Sequence, residues 1–167
     1  GVQVGLVRTN SPYRPSFAGR IPVVRAAFRL IPYLARLWVV AGRVGVMHVL
    51  ANSGWAWHLF AAPALVVARV RGTPIIVNYR GGNADSFFSA APRFVLGMLS
   101  GASMRVTPSV FLQRVFAEHG LSAEVIPNII DLSRFSPRPP RWFGDSPHII
   151  VTRNLEPIYD IPTAIRA

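Results

Sequence analysis

Gly72-Thr73-Pro74-Ile75-Ile76-Val77-Asn78-Tyr79-Arg80-Gly81-Gly82-Asn83-Ala84 is the stretch on which the fold turns. A turn ends at Pro74, and Ile75–Tyr79 is a short apolar run of strand length. Gly81-Gly82-Asn83 reads as a tight loop, followed by a helix from about Ala84 to Leu99. Strand, loop and helix in that order form the building unit of a parallel sheet. The same unit recurs on both sides. Upstream, Val44–Leu50 is expected as a strand ending in Asn52-Ser53-Gly54, and Trp55–Arg71 as an apolar helix disturbed at Pro63. Further upstream are an expected strand over Val2–Val7, a proline-broken loop and a helix over residues 23–42. Downstream, Met104–Thr107 and Glu124–Ile126 are expected strands. The helix between them has Ser109 as its N-cap and Gly120 just past its end. His148–Thr152 is a last expected strand, and a helix begins at Ile161. These units predict an α/β fold with a doubly wound parallel sheet. Its strands are continuous apolar runs, as expected where helices cover both faces.

In such sheets a ligand sits beyond the carboxyl ends of the strands. Those ends fall near Asn52-Ser53-Gly54, Arg80-Gly81-Gly82, Pro108-Ser109 and Arg153-Asn154. The loop after Ile75–Tyr79 is the best candidate binding loop. Gly81 and Gly82 let backbone N–H groups approach a ligand, and Asn83 leads into a helix N-terminus. Asn78 and Arg80 flank the loop, and Arg80 adds a planar cation suited to phosphate or carboxylate. The glycine spacing is not that of a dinucleotide fingerprint, and a plain strand–helix turn has the same pattern.

The chain has 167 residues, enough for one α/β domain with a core and too few for two of ordinary size. Half of its residues are hydrophobic, which argues against disorder. It has no cysteine, so a disulfide scaffold and thiolate metal sites are excluded. The net charge is +11 and every basic residue is arginine. That balance points to an anionic partner: nucleotide phosphates or an acidic membrane surface. Nucleic acid is not expected. The arginines are spread along the chain, with neither zinc-finger spacing nor an aromatic–basic RNA signature. The strand-like start is not expected to be a secretory signal, and no charge-free apolar stretch reaches about eighteen residues.

The four histidines are His48, His58, His119 and His148. No pair of them has metal-ligand spacing together with a carboxylate, so no metal is expected. His48 reads as a satisfied core residue and His58 as a minor candidate near the ligand edge. His119 fits a helix-dipole role, and Asp85, in the first turn after the glycine loop, fits either that role or a catalytic one. No nucleophile elbow, P-loop or cysteine nucleophile is present.

The helix over residues 23–42 carries a stripe. At 100° per residue, Arg25, Arg29, Arg36 and Arg43 fall within roughly 40° of one another. Leu30, Ile31, Leu34, Leu37, Trp38 and Ala41 cluster on the other side, the side expected to face the core. Two readings stand: a solvated surface helix, or a face that docks on an anionic membrane with Arg25, Arg29, Arg36 and Trp38 at headgroup level. Pro32 interrupts the stripe.

Val125-Ile126-Pro127-Asn128-Ile129-Ile130-Asp131-Leu132-Ser133-Arg134-Phe135-Ser136-Pro137 resembles the hinge segment of the family 4 glycosyltransferases, V-I-P-N-G-V-D-x-x-x-F-x-P. Ile149–Pro157 resembles the strand and loop that open that family's second lobe. Pro108-Ser109 followed by a helix and Gly120, and the Gly-Gly loop after a strand, also match. The resemblance covers most of the chain from about Val46 onward. It implies the GT-B architecture, two Rossmann-like lobes with the reaction in the cleft between them. It further implies a nucleotide-sugar donor held by the second lobe, a glycan or lipid-linked acceptor held by the first, and retention of configuration without a metal. No cofactor is implied, since the nucleotide-sugar is a substrate.

Carried over residue by residue, Arg153 matches the arginine that contacts the donor diphosphate, with Asn154 and Glu156 beside it. Arg80 falls where many members carry a histidine near the reacting sugar. Arginine cannot be a general base there, but it can orient an acceptor or offset charge. The stretch Ile158-Tyr159-Asp160 has no lysine where the family commonly has one, and Ile129 replaces the hinge glycine.

The expected domains are residues 1–135 as the first lobe, truncated at its start, residues 136–146 as a linker, and residues 147–167 as the truncated opening of the second. The implied function is a retaining hexosyltransferase of polysaccharide or glycolipid synthesis. Its expected location is the cytoplasm, at the inner membrane face, and the isolated chain is expected to be inactive. The alternatives are a non-catalytic membrane-docking or acceptor-binding module, and another sugar-nucleotide enzyme of the same fold, such as an epimerase.

Overall fold

Ile75–Tyr79 forms a strand with neighbours on both sides, as its apolar run predicts. The computed structural model describes residues 1–9, 22–136, 150–152 and 160–166. Two units are present, Gly1–Ile129 and Ile130–Ala167. The first is a mixed α/β unit around a four-stranded parallel sheet. Its strands are β1 (Met47–Ala51), β2 (Ile75–Tyr79), β3 (Met104–Thr107) and β4 (Glu124–Val125). They run in sequence order, β1-β2-β3-β4. Met47 pairs with Ile75, Ile76 with Met104 and Val106 with Glu124.

Each connection crosses over through helix. A helical run after β1 contains a π turn, Trp57–Ala61, and continues as α2 (Ala62–Val70). The π turn has a local cause. Pro63 has no N–H for the carbonyl four residues back, and the ladder shifts there: Ala62 N–H bonds to Trp57, five residues back. Between β2 and β3 there are two helices, α3 (Ala84–Ala90) and α4 (Pro92–Ser100), in place of the single one expected. Pro92 opens α4 and forces Ala91 out of helical geometry, at φ −142° and ψ 56°. α5 (Val110–Glu118) joins β3 to β4 and has the expected caps. Ser109 Oγ accepts the Leu112 N–H at 3.3 Å. Gly120 has φ 76°, and the bonds Gly120 N to Ala117 O and Leu121 N to Phe116 O close a Schellman motif.

Strands taken in order with right-handed crossovers place all their helices on one face. Tyr79 shows this directly. Its ring meets Trp57, Phe88 and Phe116, one from each crossover, at 6.3, 5.3 and 5.4 Å between centroids. All four rings are fully buried. The core therefore lies on the face of Met47, Ala51, Ile75, Val77 and Tyr79. The opposite face is closed at Asn78 and Val106 but open at His48, Leu50 and Met104. His48 is thus exposed, because its odd register on β1 turns it away from the core face.

α1 (Pro22–Ala41) runs unbroken through Pro32 and packs on the α2 side. Tyr33 donates to the Phe60 carbonyl at 2.8 Å, and Thr73 Oγ1 donates to the Ala41 carbonyl. Val2–Val7 does not form a strand. Val2, Val4 and Leu6 are largely exposed, and among the described residues no strand pairs with them. An isolated strand leaves its backbone groups to water, so β-propensity alone does not hold it.

In the second unit, Asp131 Oδ1 accepts from Ser133 N at 3.1 Å and Ser133 Oγ at 2.6 Å, which starts a 3-10 turn at Leu132–Arg134. α6 spans Ile161–Arg166. Residues 150–152 of the expected last strand are not in a strand, and 148–149 lie outside the described residues.

Candidate functional site

The carboxyl ends of β1 and β2 meet where sequence reasoning put the ligand edge. Arg80 N–H continues the ladder by bonding to Ala51 O at 2.8 Å. The chain then turns through Gly81, which is buried against Ser53. A Cβ on Gly81 would lie 2.8 Å from the Ser53 backbone nitrogen, so a glycine is needed for packing between loops. Gly82 is different. Nothing would meet a Cβ there, and the residue is exposed. Its backbone is therefore open to a ligand. Asn83 stands at the N-cap position of α3 without a side-chain cap bond, and it is exposed.

Beneath this loop, Ser53 Oγ and Tyr79 OH are 2.7 Å apart. This bond ties the end of β1 to the end of β2. Burial pushes the Tyr79 hydroxyl's pKa up, and the Ser53 bond partly opposes it. The phenol stays neutral and serves as a fixed hydrogen-bonding group, not as a base.

Above the loop, Arg80 is exposed and held from two sides. Its Nε donates to Asn78 Oδ1 at 3.2 Å, and its Nη1 donates to Asn128 Oδ1. Asn78 is buried at 5 % exposure, so it forms a firm lower anchor. Asn128 comes from the segment after β4, 48 residues away. Arg80 thus connects the end of β2 to the Pro127-Asn128 dipeptide. A guanidinium has five N–H donors. Those not used on Asn78 and Asn128 are available to hydroxyl or anionic groups of a ligand.

Of the residues singled out in the sequence, the structure gathers Asn78, Arg80, Gly81 and Gly82 at one edge and adds Ser53, Tyr79 and Asn128. Ser109 has its hydroxyl in the α5 cap, and Asp85 pairs with His119 Nε2 at 3.0 Å, joining α3 to α5. His119 also sets its ring edge against Phe88. His58 lies among rings, stacked on Phe94 at 5.9 Å and edge-on to Phe87 and Trp55. Arg153, Asn154 and Glu156 lie outside the described residues. So does the side chain of Arg25 on the α1 stripe. Arg29 is half-buried, Arg36 exposed and Trp38 48 % exposed. No group of three or more His, Cys, Asp or Glu side chains that could hold a metal ion occurs among the described residues. No helix among them is long and apolar enough to cross a membrane.

The missed residue, Asn128, carried a signal: it stands in the hinge-like Val-Ile-Pro-Asn run. Its pairing with Arg80 is long-range and has no periodic trace. Comparison with known proteins returns no matching family model, no matching curated protein and no matching solved structure.

Proposed function

We propose that the chain provides the acceptor-side lobe, and the opening of the donor-side lobe, of a retaining family 4 glycosyltransferase. On this reading the enzyme moves a hexose from a nucleotide-sugar to a glycan or lipid-linked acceptor. The four-stranded parallel sheet is, on this reading, part of a doubly wound Rossmann-like sheet. One observation carries the reading: Arg80 stands at the ligand edge and is braced between Asn78 and Asn128. Its brace joins the glycine loop to the hinge-like segment, the two stretches that carry the resemblance.

The chemistry suits a cation there. In the transfer, the bond from the anomeric carbon to the diphosphate breaks and a bond to the acceptor oxygen forms. The acceptor's proton leaves on the diphosphate. Negative charge grows on the leaving group, and fixed N–H donors aimed at growing charge lower the barrier. A guanidinium offers donors and no acceptor, so Arg80 orients the substrates and offsets charge. Arg153 clamps the donor diphosphate as a planar fork.

The test uses the product of the complete gene with a panel of nucleoside diphosphate hexoses and glycan acceptors. Release of nucleoside diphosphate with a lengthened acceptor is expected. Arg153→Ala should lower that rate roughly a hundredfold, the usual cost of one lost charge-stabilising donor. No turnover with any donor, or full activity in Arg153→Ala, would overturn the reading.

A further inference from the structure

The outer surface of α1 is divided in a way that its sequence stripe did not foretell. Tyr33, Leu37 and Ala41 are buried against the rest of the unit, with Leu30 and Leu34 half-buried beside them. Ile31 and Trp38, expected on that core side, are instead 67 % and 48 % exposed. Val39 is 48 % exposed and Ala35 is exposed as well. At 100° per residue, Trp38, Ile31, Ala35 and Val39 fill an arc of about 100°. Arg36 follows on the flank of that arc, and Arg43 lies just past the last turn; both are exposed. At the C-terminal end of the strip, beside Gly42, the Arg71 guanidinium sits 5.0 Å over the Trp38 ring.

We infer that this strip docks the protein on an anionic lipid bilayer, with α1 lying in the interface plane. Ile31, Val39 and the Trp38 ring enter the acyl boundary. Arg36, Arg43 and Arg71 meet the headgroups. Three observations select this occupant. The strip is apolar and stands out from the fold on a helix of 20 residues. Cations flank it, on a chain of net charge +11, so the complementary surface is negative. Tryptophan lies between the apolar strip and a cation, the place an amphipathic ring takes at a bilayer interface. A second copy of the chain would bring the same cations face to face. The inference goes beyond the transferase reading and does not rest on it.

Co-sedimentation of the 167-residue chain with vesicles decides the matter. Vesicles of phosphatidylcholine with phosphatidylglycerol should bind the chain, and vesicles of phosphatidylcholine alone should bind it far less. Salt at about 1 M, where the screening length falls to about 3 Å, should release much of it. Arg36→Gln with Arg43→Gln should weaken binding roughly 25-fold, about fivefold for each arginine near an anionic surface. Ile31→Gln with Val39→Gln should weaken it more than about tenfold, because the inserted side chains are lost. All four positions are exposed, so both variants should keep the wild-type circular dichroism spectrum. Equal binding to neutral vesicles, or undiminished binding by the Ile31/Val39 variant, would overturn the inference. So would a dimer in sedimentation velocity that the Ile31/Val39 variant abolishes, without vesicle binding by the wild type.

Discussion

One face of the sheet carries Val77 and Tyr79; the other carries His48, Leu50 and Met104. Both faces belong to the same four strands, but only the first is sealed at its centre. Val77 and Tyr79 have no exposed surface, whereas Leu50 is 69 % and Met104 42 % exposed. Side-chain type does not explain the difference, since both faces carry apolar residues. Connection order does. Three consecutive crossovers of one hand deliver Trp57, Phe88 and Phe116 to the same side. A strand's apolarity thus says that it can be buried, and the path of the chain says which side is.

Substitutions on the two faces can break or sharpen that contrast. The largest effect is expected at Phe88, which touches Tyr79, Phe116 and His119 on the sealed face. Phe88→Ala should cost about 3–5 kcal/mol in denaturant unfolding, from lost burial and the cavity left behind. A cost under about 1 kcal/mol would mean that the sealed face is not the core. Next comes Gly81→Ala, where the added methyl meets the Ser53 backbone. Overpacking of this kind costs about 1–3 kcal/mol, and Gly82→Ala, with open space around it, serves as the control that should change little.

A smaller loss of about 1 kcal/mol is expected for Ser109→Ala, which removes the α5 cap. Alkali should sharpen the same contrast. Burial pushes the Tyr33 phenol's pKa up to about 12 from its ordinary value of 10. The folded form holds that proton where the unfolded form loses it. The stability Tyr33 contributes is therefore intact below pH 10 and is lost as pH rises from 10 to about 12. Tyr33→Phe should flatten that part of a stability-against-pH curve; an unchanged slope would place the loss elsewhere. Least of all, Leu50→Gln on the open face should shift stability by no more than about 0.5 kcal/mol. A larger loss would mean that the face is covered.

What could be read from the residues follows the same division. Ile75–Tyr79 is legible to the residue because it is a short, mostly apolar run between a turn and a glycine loop, and α5 because its two caps obey local rules. The break at Pro92 and the π turn before Pro63 depend on how a proline is accommodated, and the apolar pattern alone does not decide that. The strand expected at Val2–Val7 and the burial expected for His48 fail for a common reason. Strand formation and facing depend on neighbours, which lie elsewhere in the chain. The site divides likewise. Arg80 and its glycines stand in a recognisable loop, while the brace from Asn128 is a long-range contact. α1 shows the limit most clearly. Its arginine stripe is plain at helical spacing, but which apolar residues face the core depends on where α2 lies.

The central claim is that the Arg80 edge receives a sugar ligand. Amide chemical shifts of the 167-residue chain, followed during titration with sugar phosphates and neutral oligosaccharides, test it most directly. The account predicts shifts concentrated at Ser53, Arg80, Gly81, Gly82, Asn83 and Asn128, and their loss in Arg80→Ala. Shifts that avoid this edge, or that persist unchanged in Arg80→Ala, would contradict it.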